Sequence, residues 1–490
     1  MTAALAVTAL LLAGCGTAGP AAPSAADPAN LAPASTLIYI SLTVRPQGNL
    51  GTQMRQALNK LGGPGAVNSI MGSINRGLGK TGMSYGANIR PWLGQRVGLV
   101  LTDLPQAGAA SGSIPSGMAL IMPTKDPSAA RAFVRRAVRR SPGTHGRVSN
   151  GYAIYGGALA YQQTLGLTPV DSLAESPGYR STVSQLGSGT AAVMYMNLHR
   201  FTQLSASSST AGGRGSPLKQ SRSRIGPNAA LAAGVTMSPS AIRVDTVETG
   251  VKHSTRGSTA DVGGLPAGSW LALATGSTGT NFAKEFRAGF QLGLTSSLSR
   301  EGLSGSVLAG AMAGRLAFLE RDVLPALGPV SLAVGGTSPL NLRVGLKLHP
   351  SSLAAATRLL GTFRALAARS PALGVAGKAT HFSVKVPTGS SLLVSEVARA
   401  VVATYGFASP RGFLSPASKL ASDPAYRQAV SQLPAGSHVP FYLSFAPIAA
   451  LVQLTDHQPS AAHTIRVLNQ LSYLIVGGTS GRSRMVLGLR

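Results

Sequence analysis

Apolar residues fall along this chain in two rhythms: short runs of strand length, and stretches between them spaced for one face of a helix. Residues 36–43 (TLIYISLT) read as a strand, 51–79 as helical, and 97–102 and 118–122 as two further strands. A helix then opens at Asp126-Pro127, where aspartate accepts from the free N–H groups of the first turn and proline suits the first helical position. Ala130, Phe133, Val134, Ala137 and Val138 share one side of that helix, and Arg131, Arg135, Arg136, Arg139 and Arg140 fall on the other. GYAIYGGALAY from Gly151 reads as a strand, followed by a helix at SPGYR from Ser176, another strand and a closing hairpin.

The succession then repeats. SPGYRSTVSQLGSGTAAVMYMNL from Ser176 aligns without a gap on DPAYRQAVSQLPAGSHVPFYLSF from Asp423, matching Tyr179 with Tyr426 and Tyr195 with Tyr442. LAPASTLIYISL answers GLPAGSWLALAT, and PWLGQRVGLVL answers PALGPVSLAVG. The expected fold is α+β: two tandem equivalent halves, 31–255 and 262–490, each a largely antiparallel sheet with helices packed on one face. Val439–Leu454, the best internal candidate for a membrane span, contains Pro440 and Pro447 and reads instead as strand, turn and short helix. The Tyr-Arg pairs at Tyr179 and Tyr426 sit in the first turns of predicted helices, where the tyrosine packs inward.

The amino terminus has a different character. Residues 2–13 (TAALAVTALLLA) are uncharged and apolar, too short for a hydrocarbon core that takes about 20 residues but suited to the core of a signal peptide. LAGC at 12–15 resembles the lipobox of bacterial lipoproteins, in which the cut falls before the cysteine and the thiol receives a diacylglyceryl group. Cys15 is the single cysteine of the chain, which fits a thiol kept for lipid attachment in an oxidising compartment. Residues 1–14 are therefore read as a signal peptide and 15–30 as the lipidated cysteine with a Pro/Ala/Gly-rich tether. A signal peptide usually opens with Lys or Arg, whereas the first charge here is Asp27, so its start is expected upstream of Met1.

The opening LAPASTLIYISLTVRPQG, PWLG before a strand, the KDPSAARAFV helix start and SPGYRSTVSQL before a strand together resemble a bacterial, often actinobacterial, family of exported proteins, domain of unknown function 3352. The resemblance implies export and no defined activity, so it carries over no catalytic residues. Where a further strand–helix unit is expected, between Tyr161 and Ser176, the sequence has only QQTLGLTPVDSLAE, as if an element were missing.

Charge adds a direction. Lys and Arg number 43 against 15 Asp and Glu, a net +28, so anionic partners are favoured. With an export signal and only 5% aromatic residues, nucleic acid is not expected; anionic lipids or wall polymers are. A second basic group, Arg214, Lys219, Arg222 and Arg224, decorates a Ser/Gly-rich loop. Catalytic signatures are lacking. NRGLGKTG at 75–82 has Ile74 where a phosphate loop needs its first glycine, and Gly77 and Gly79 read better as helix-ending residues of positive φ. No G-x-S-x-G elbow occurs, His457 and His463 are wrongly spaced for one helix face, and Asp103, Asp126, Glu320 and Asp322 sit near element ends, where capping explains them as well as acid–base catalysis does. No catalytic, cofactor or metal residues are assigned. The expected function is a lipid-anchored, non-enzymatic binding or scaffolding protein on the extracytoplasmic face of the membrane. The alternatives are a carrier for an apolar lipid or glycolipid and a hydrolase acting on the cell wall.

Overall fold

The computed structural model describes residues 27–63, 65–79, 82–104, 114–207, 224–252, 261–276, 327–338, 340–368, 373–385, 391–455 and 459–490. Two compact units emerge, Met1–His253 with Thr479–Arg490, and Ser254–Gly478.

Unit 1 begins at a 3-10 turn, Pro28–Asn30, whose cap Asp27 accepts through Oδ1 from the Ala29 N–H at 3.0 Å and from the Tyr39 hydroxyl at 2.9 Å. Then come β1 (Ile38–Thr43), α1 (Gly48–Gly62), α2 (Ala66–Gly79), a π-turn (Tyr85–Ile89), β2 (Arg96–Leu101), β3 (Met118–Pro123) and α3 (Pro127–Arg140). The unit continues with β4 (Thr144–Ser149), β5 (Tyr152–Gly157), α4 (Ala158–Leu165), α5 (Pro177–Val183), β6 (Ala192–Asn197), α6 (Leu198–Ser207), β7 (Ile225–Ser238) and β8 (Ala241–Val251). The strands pair in the order β4-β5-β3-β2-β1-β6-β7-β8, antiparallel throughout.

Successive side chains of a strand point to opposite faces, and here both faces are covered. Leu42, Val97, Met122 and Ala153 meet Ile74 of α2, the π-turn residues Tyr85 and Ile89, and Ala130 and Val134 of α3. Their strand neighbours Tyr39, Val100, Ile121 and Tyr152 instead meet Ala29, Leu173 and Tyr179 on the other side. The expectation of helices on one face is thereby corrected: strands such as MALIMP carry apolar residues at consecutive positions because both faces are buried.

Unit 2 starts at the 3-10 turn Val262–Gly264, capped by Asp261, whose Oδ1 accepts from the Gly263 N–H at 2.7 Å. It then runs β9 (Ser269–Thr275), β10 (Leu327–Gly335), β11 (Arg343–Pro350), α7 (Leu353–Ala368), β12 (Gly374–Lys378), β13 (His381–Lys385), β14 (Ser391–Val397) and β15 (Ala400–Tyr405). Last come α8 (Pro410–Leu414), α9 (Pro424–Val430), β16 (His438–Ser444), α10 (Phe445–Thr455), α11 (Pro459–Gln470) and β17 (Leu471–Thr479). The order is β12-β13-β14-β15-β11-β10-β9-β16-β17, again antiparallel. One face packs Leu348, Phe382, Val394 and Val401 under Ala356, Leu359 and Leu360 of α7. On the other, Gly345 of β11 leaves the space that the Phe413 ring of α8 fills; a Cβ there would lie 2.2 Å from it.

The last strand, β18 (Arg482–Leu489), lies in unit 1 and pairs with β8 from Arg482↔Val247 to Gly488↔Ala241. Arg484 stands opposite Asp245, and its Nε donates to Oδ1 at 2.7 Å, with Asp245 buried. Removing one partner of such a buried pair costs about 3–5 kcal/mol. The repeat-based boundary assigns 479–490 to the second half; in space these residues belong to unit 1.

Three local expectations also change. ALAY, read as strand, begins α4, and the stretch thought to lack an element carries α4 and two 3-10 turns, Pro169–Asp171 and Leu173–Glu175. Positive φ falls on Gly82, not on Gly77 or Gly79. Val439–Leu454 does form strand and helix, with a register shift around Pro440, which has no N–H for the ladder. Among the described residues no helix is long and apolar enough to cross a membrane.

Candidate anion-binding surface and cleft

Helix α3 holds the predicted arginine row. Asp126 caps it, accepting through Oδ1 from the Ser128 and Ala129 N–H groups at 2.9 and 3.1 Å, an arrangement worth about 1 kcal/mol. Ala130, Val134 and Ala137 are buried, and Phe133 and Val138 pack at the edge of the same core, which fixes the rotation of the helix. Arg131, Arg135, Arg136, Arg139 and Arg140 are consequently all exposed. Among the described residues none of the five forms an ion pair.

Neighbouring elements add charge of the same sign. Arg76 in the last turn of α2 and Arg90 after the π-turn are exposed, and Arg45 donates from Nη1 to the carbonyls of Arg90 and Leu93, both at 2.9 Å. Burial and then the Arg45 guanidinium push the Lys125 amine below its ordinary pKa. Burial raises the Tyr85 hydroxyl, with Arg45 and Arg90 pulling the other way. A groove of about 160 Å³ between the π-turn and α3 is walled by Met83, Asn88, Trp92 and Phe133 and rimmed by Arg136, with the Trp92 and Phe133 rings 5.2 Å apart. In unit 2, α7 has only Arg358 exposed and Arg364 half-buried in the corresponding stretch.

The opposite face of unit 1 carries a cleft of about 480 Å³ that sequence reasoning did not find. Its floor is the sheet. Ser41 and Thr43 point the same way from β1, Arg96 of β2 lies opposite Thr43, and Val193 of β6 lies opposite Ser41. The walls are Tyr179 and Val183 of α5, Leu186, the Gly187–Thr190 loop, and Gln47 and Leu50 at the start of α1. Gly187 and Gly189 both sit at φ 78°, a backbone state that a Cβ disfavours. The Oγ of Ser41 and the Nε and Nη2 of Arg96 are shielded from water and have no hydrogen-bond partner among the described residues. Asp27 lines the same cleft. The one signal in the sequence was polarity at inward positions: serine and threonine sharing a strand face with Tyr39.

Beside the cleft is a tyrosine seam. Tyr179 stands edge-on to Tyr195 at 5.2 Å and to Tyr39 at 5.9 Å. Burial, then the Asp27 carboxylate, raises the Tyr39 and Tyr179 hydroxyls well above the usual range; burial pushes Tyr195 up to about 12. Tyr179 and Tyr426 are thus core residues, as their place in the first turn predicts.

Cys15, the apolar run at 2–13, Arg214, Lys219, Arg222, Glu320, Asp322 and His457 lie outside the described residues. Arg224 is exposed at the entry to β7. Among the described residues no group of three His, Cys, Asp or Glu stands close enough to hold a metal ion. Residues 2–156 match the family model described as a protein of unknown function (DUF3352), a span that takes in the apolar run at 2–13 and the elements from β1 into β5. No curated protein and no solved structure matches the chain.

Proposed function

Starting from a DUF3352 signature over 2–156, we propose that this is a lipid-anchored cell-envelope protein on the extracytoplasmic face of the membrane. It acts by binding or scaffolding rather than by catalysis. The lipobox-like LAGC and the tether support the anchor at Cys15. Two strand orders, β5-β3-β2-β1-β6-β7 and β15-β11-β10-β9-β16-β17, support a body of two tandem equivalent halves.

The observation that carries the binding reading is the row of five exposed arginines on α3 with no carboxylate partner among the described residues. Each basic residue near an anionic surface contributes about 1 kcal/mol, weakened by salt. Sedimentation with vesicles containing anionic lipid and with purified anionic wall polymer tests it. Binding should fall with salt, and each Arg→Gln change on α3 should weaken it about fivefold. Binding indifferent to both salt and the arginines defeats the electrostatic reading. Mass spectrometry of the membrane fraction tests the anchor, since a free Cys15 thiol with Met1 attached defeats it.

A second reading, a carrier for a lipid or glycolipid, draws on a groove of about 440 Å³ in unit 2 walled by Phe382, Leu393, Val394 and Pro410. Native mass spectrometry after gentle extraction tests it by the presence of co-purifying lipid.

A further inference from the structure

The cleft over β1, β2 and β6 lies on the sheet face opposite α3 and does not depend on the envelope reading. Strand pairing places Arg96 at its floor with Ser41 and Thr43 on the adjacent strand. A guanidinium whose Nε and Nη2 are both shielded and unbonded is an unfavourable state, since a buried unsatisfied donor costs about 1–3 kcal/mol and a charged one more. The Ser41 hydroxyl, fully buried, is unbonded in the same way. Such groups are retained where something completes them.

We propose that this cleft binds a small organic monocarboxylate with an apolar body. Nε and Nη2 form the edge of a guanidinium that meets a carboxylate side-on through two parallel N–H···O bonds. A rotation of the Arg96 guanidinium toward the cleft presents that edge, and the Ser41 hydroxyl supplies a further donor. Leu50, Val183, Leu186, Val193 and the Tyr179 ring give the apolar body its walls. Asp27 sets the ligand's charge. Arg96 and Asp27 cancel, so a monoanion leaves the cleft at a single negative charge, whereas a phosphate dianion doubles it beside a carboxylate. An uncharged ligand offers the Nε and Nη2 donors no charged acceptor, and such charge-assisted bonds are about twice as strong as neutral ones.

Calorimetric titration of the full chain with hexanoate and phenylacetate, beside hexanamide, phenylacetamide and inorganic phosphate, tests this. The carboxylates should bind saturably at one site, with the amides and phosphate at least about tenfold weaker. Arg96→Gln should weaken carboxylate binding about tenfold or more and Ser41→Ala about threefold, while Arg147→Gln on the exposed side of β4 should leave it unchanged. Asp27→Asn should tighten it severalfold, a direction that loss of a merely structural residue does not produce. Circular dichroism checks each variant's fold; if Arg96→Gln does not fold, Asp27→Asn and Ser41→Ala decide. The proposal is overturned if neither carboxylate binds saturably, if the amides or phosphate bind as tightly, or if Asp27→Asn weakens binding.

Discussion

The two units build the same seam from different numbers of rings. In unit 1, Tyr179 from α5 stands edge-on to Tyr195 at 5.2 Å, and in unit 2, Tyr426 from α9 meets Tyr442 at 5.1 Å. Beneath the first pair lies Tyr39, placed by register between Val100 and Tyr195; the residue placed between Ala333 and Tyr442 is Ala272. Unit 1 thus adds a third ring, bonded to the cap aspartate Asp27, and opens a polar cleft beside it. Counting along the same registers, Ala274 stands where β1 has Ser41. The contrast separates what closes a sheet onto its helix from what was added to it. A tyrosine pair and a capped turn suffice for closure. Tyr39, Ser41 and Arg96 are surplus to it, which is why they are the residues to examine for binding.

Four substitutions and one change of pH sharpen the contrast. Tyr179→Ala should destabilise unit 1 by about 3–5 kcal/mol, and exceed Tyr426→Ala in unit 2 by the ~0.5–1.5 kcal/mol of the extra ring pair. Hydrogen exchange resolved by segment reads the two units separately; equal losses would erase the distinction. Gly178→Ala should cost about 1–3 kcal/mol, because a Cβ there would lie 3.0 Å from the Tyr195 hydroxyl and 3.2 Å from the Asn228 carbonyl. The matching residue of α9 is already alanine, Ala425. Tyr39→Phe, which removes the hydrogen bond to Asp27, should cost about 0.5–1.5 kcal/mol in urea unfolding and leave unit 2 untouched.

Alkali gives the smallest effect at neutral pH and a distinct one above it. Tyr152 and Tyr195 in unit 1 and Tyr442 in unit 2 are pushed up to about 12, first by burial, and Tyr39, Tyr179 and Tyr426 are raised as well. Folded tyrosines keep protons that the unfolded chain releases near pH 10, so stability is complete below that value and falls as pH rises through about 12. Unit 1, holding more of these rings, should unfold first; ultraviolet titration of tyrosinate against far-ultraviolet circular dichroism checks it.

Much of this architecture was legible in local pattern. The cap at Asp126 and the spacing of Ala130, Val134 and Ala137 fix α3 and, with it, the outward arginines. Proline at the start of α5 and α9 and the repeated Tyr-Arg step locate the seam. What escaped depends on pairing between distant segments. Ser41 and Arg96 become neighbours only through the β1–β2 register, and Arg96 alone reads as an ordinary polar strand end. Burial on both faces was hidden because small residues, Ala, Ser and Thr, fill many inward positions and blur the contrast on which periodicity rests. The placement of β18 carries no local mark at all.

That strand has a bearing on how the chain matures. Arg484 and Asp245 are 239 residues apart, so unit 1 cannot seal the β8 edge until residues 482–489 have been made. A chain emerging amino end first from the ribosome would hold that border unprotected while unit 2 is made, an interval in which holdase chaperones or rapid pairing of the last strand would decide yield. Clipping a handful of carboxyl-terminal residues should therefore harm the amino-terminal body, far away along the polypeptide, more than the unit next to the cut in sequence.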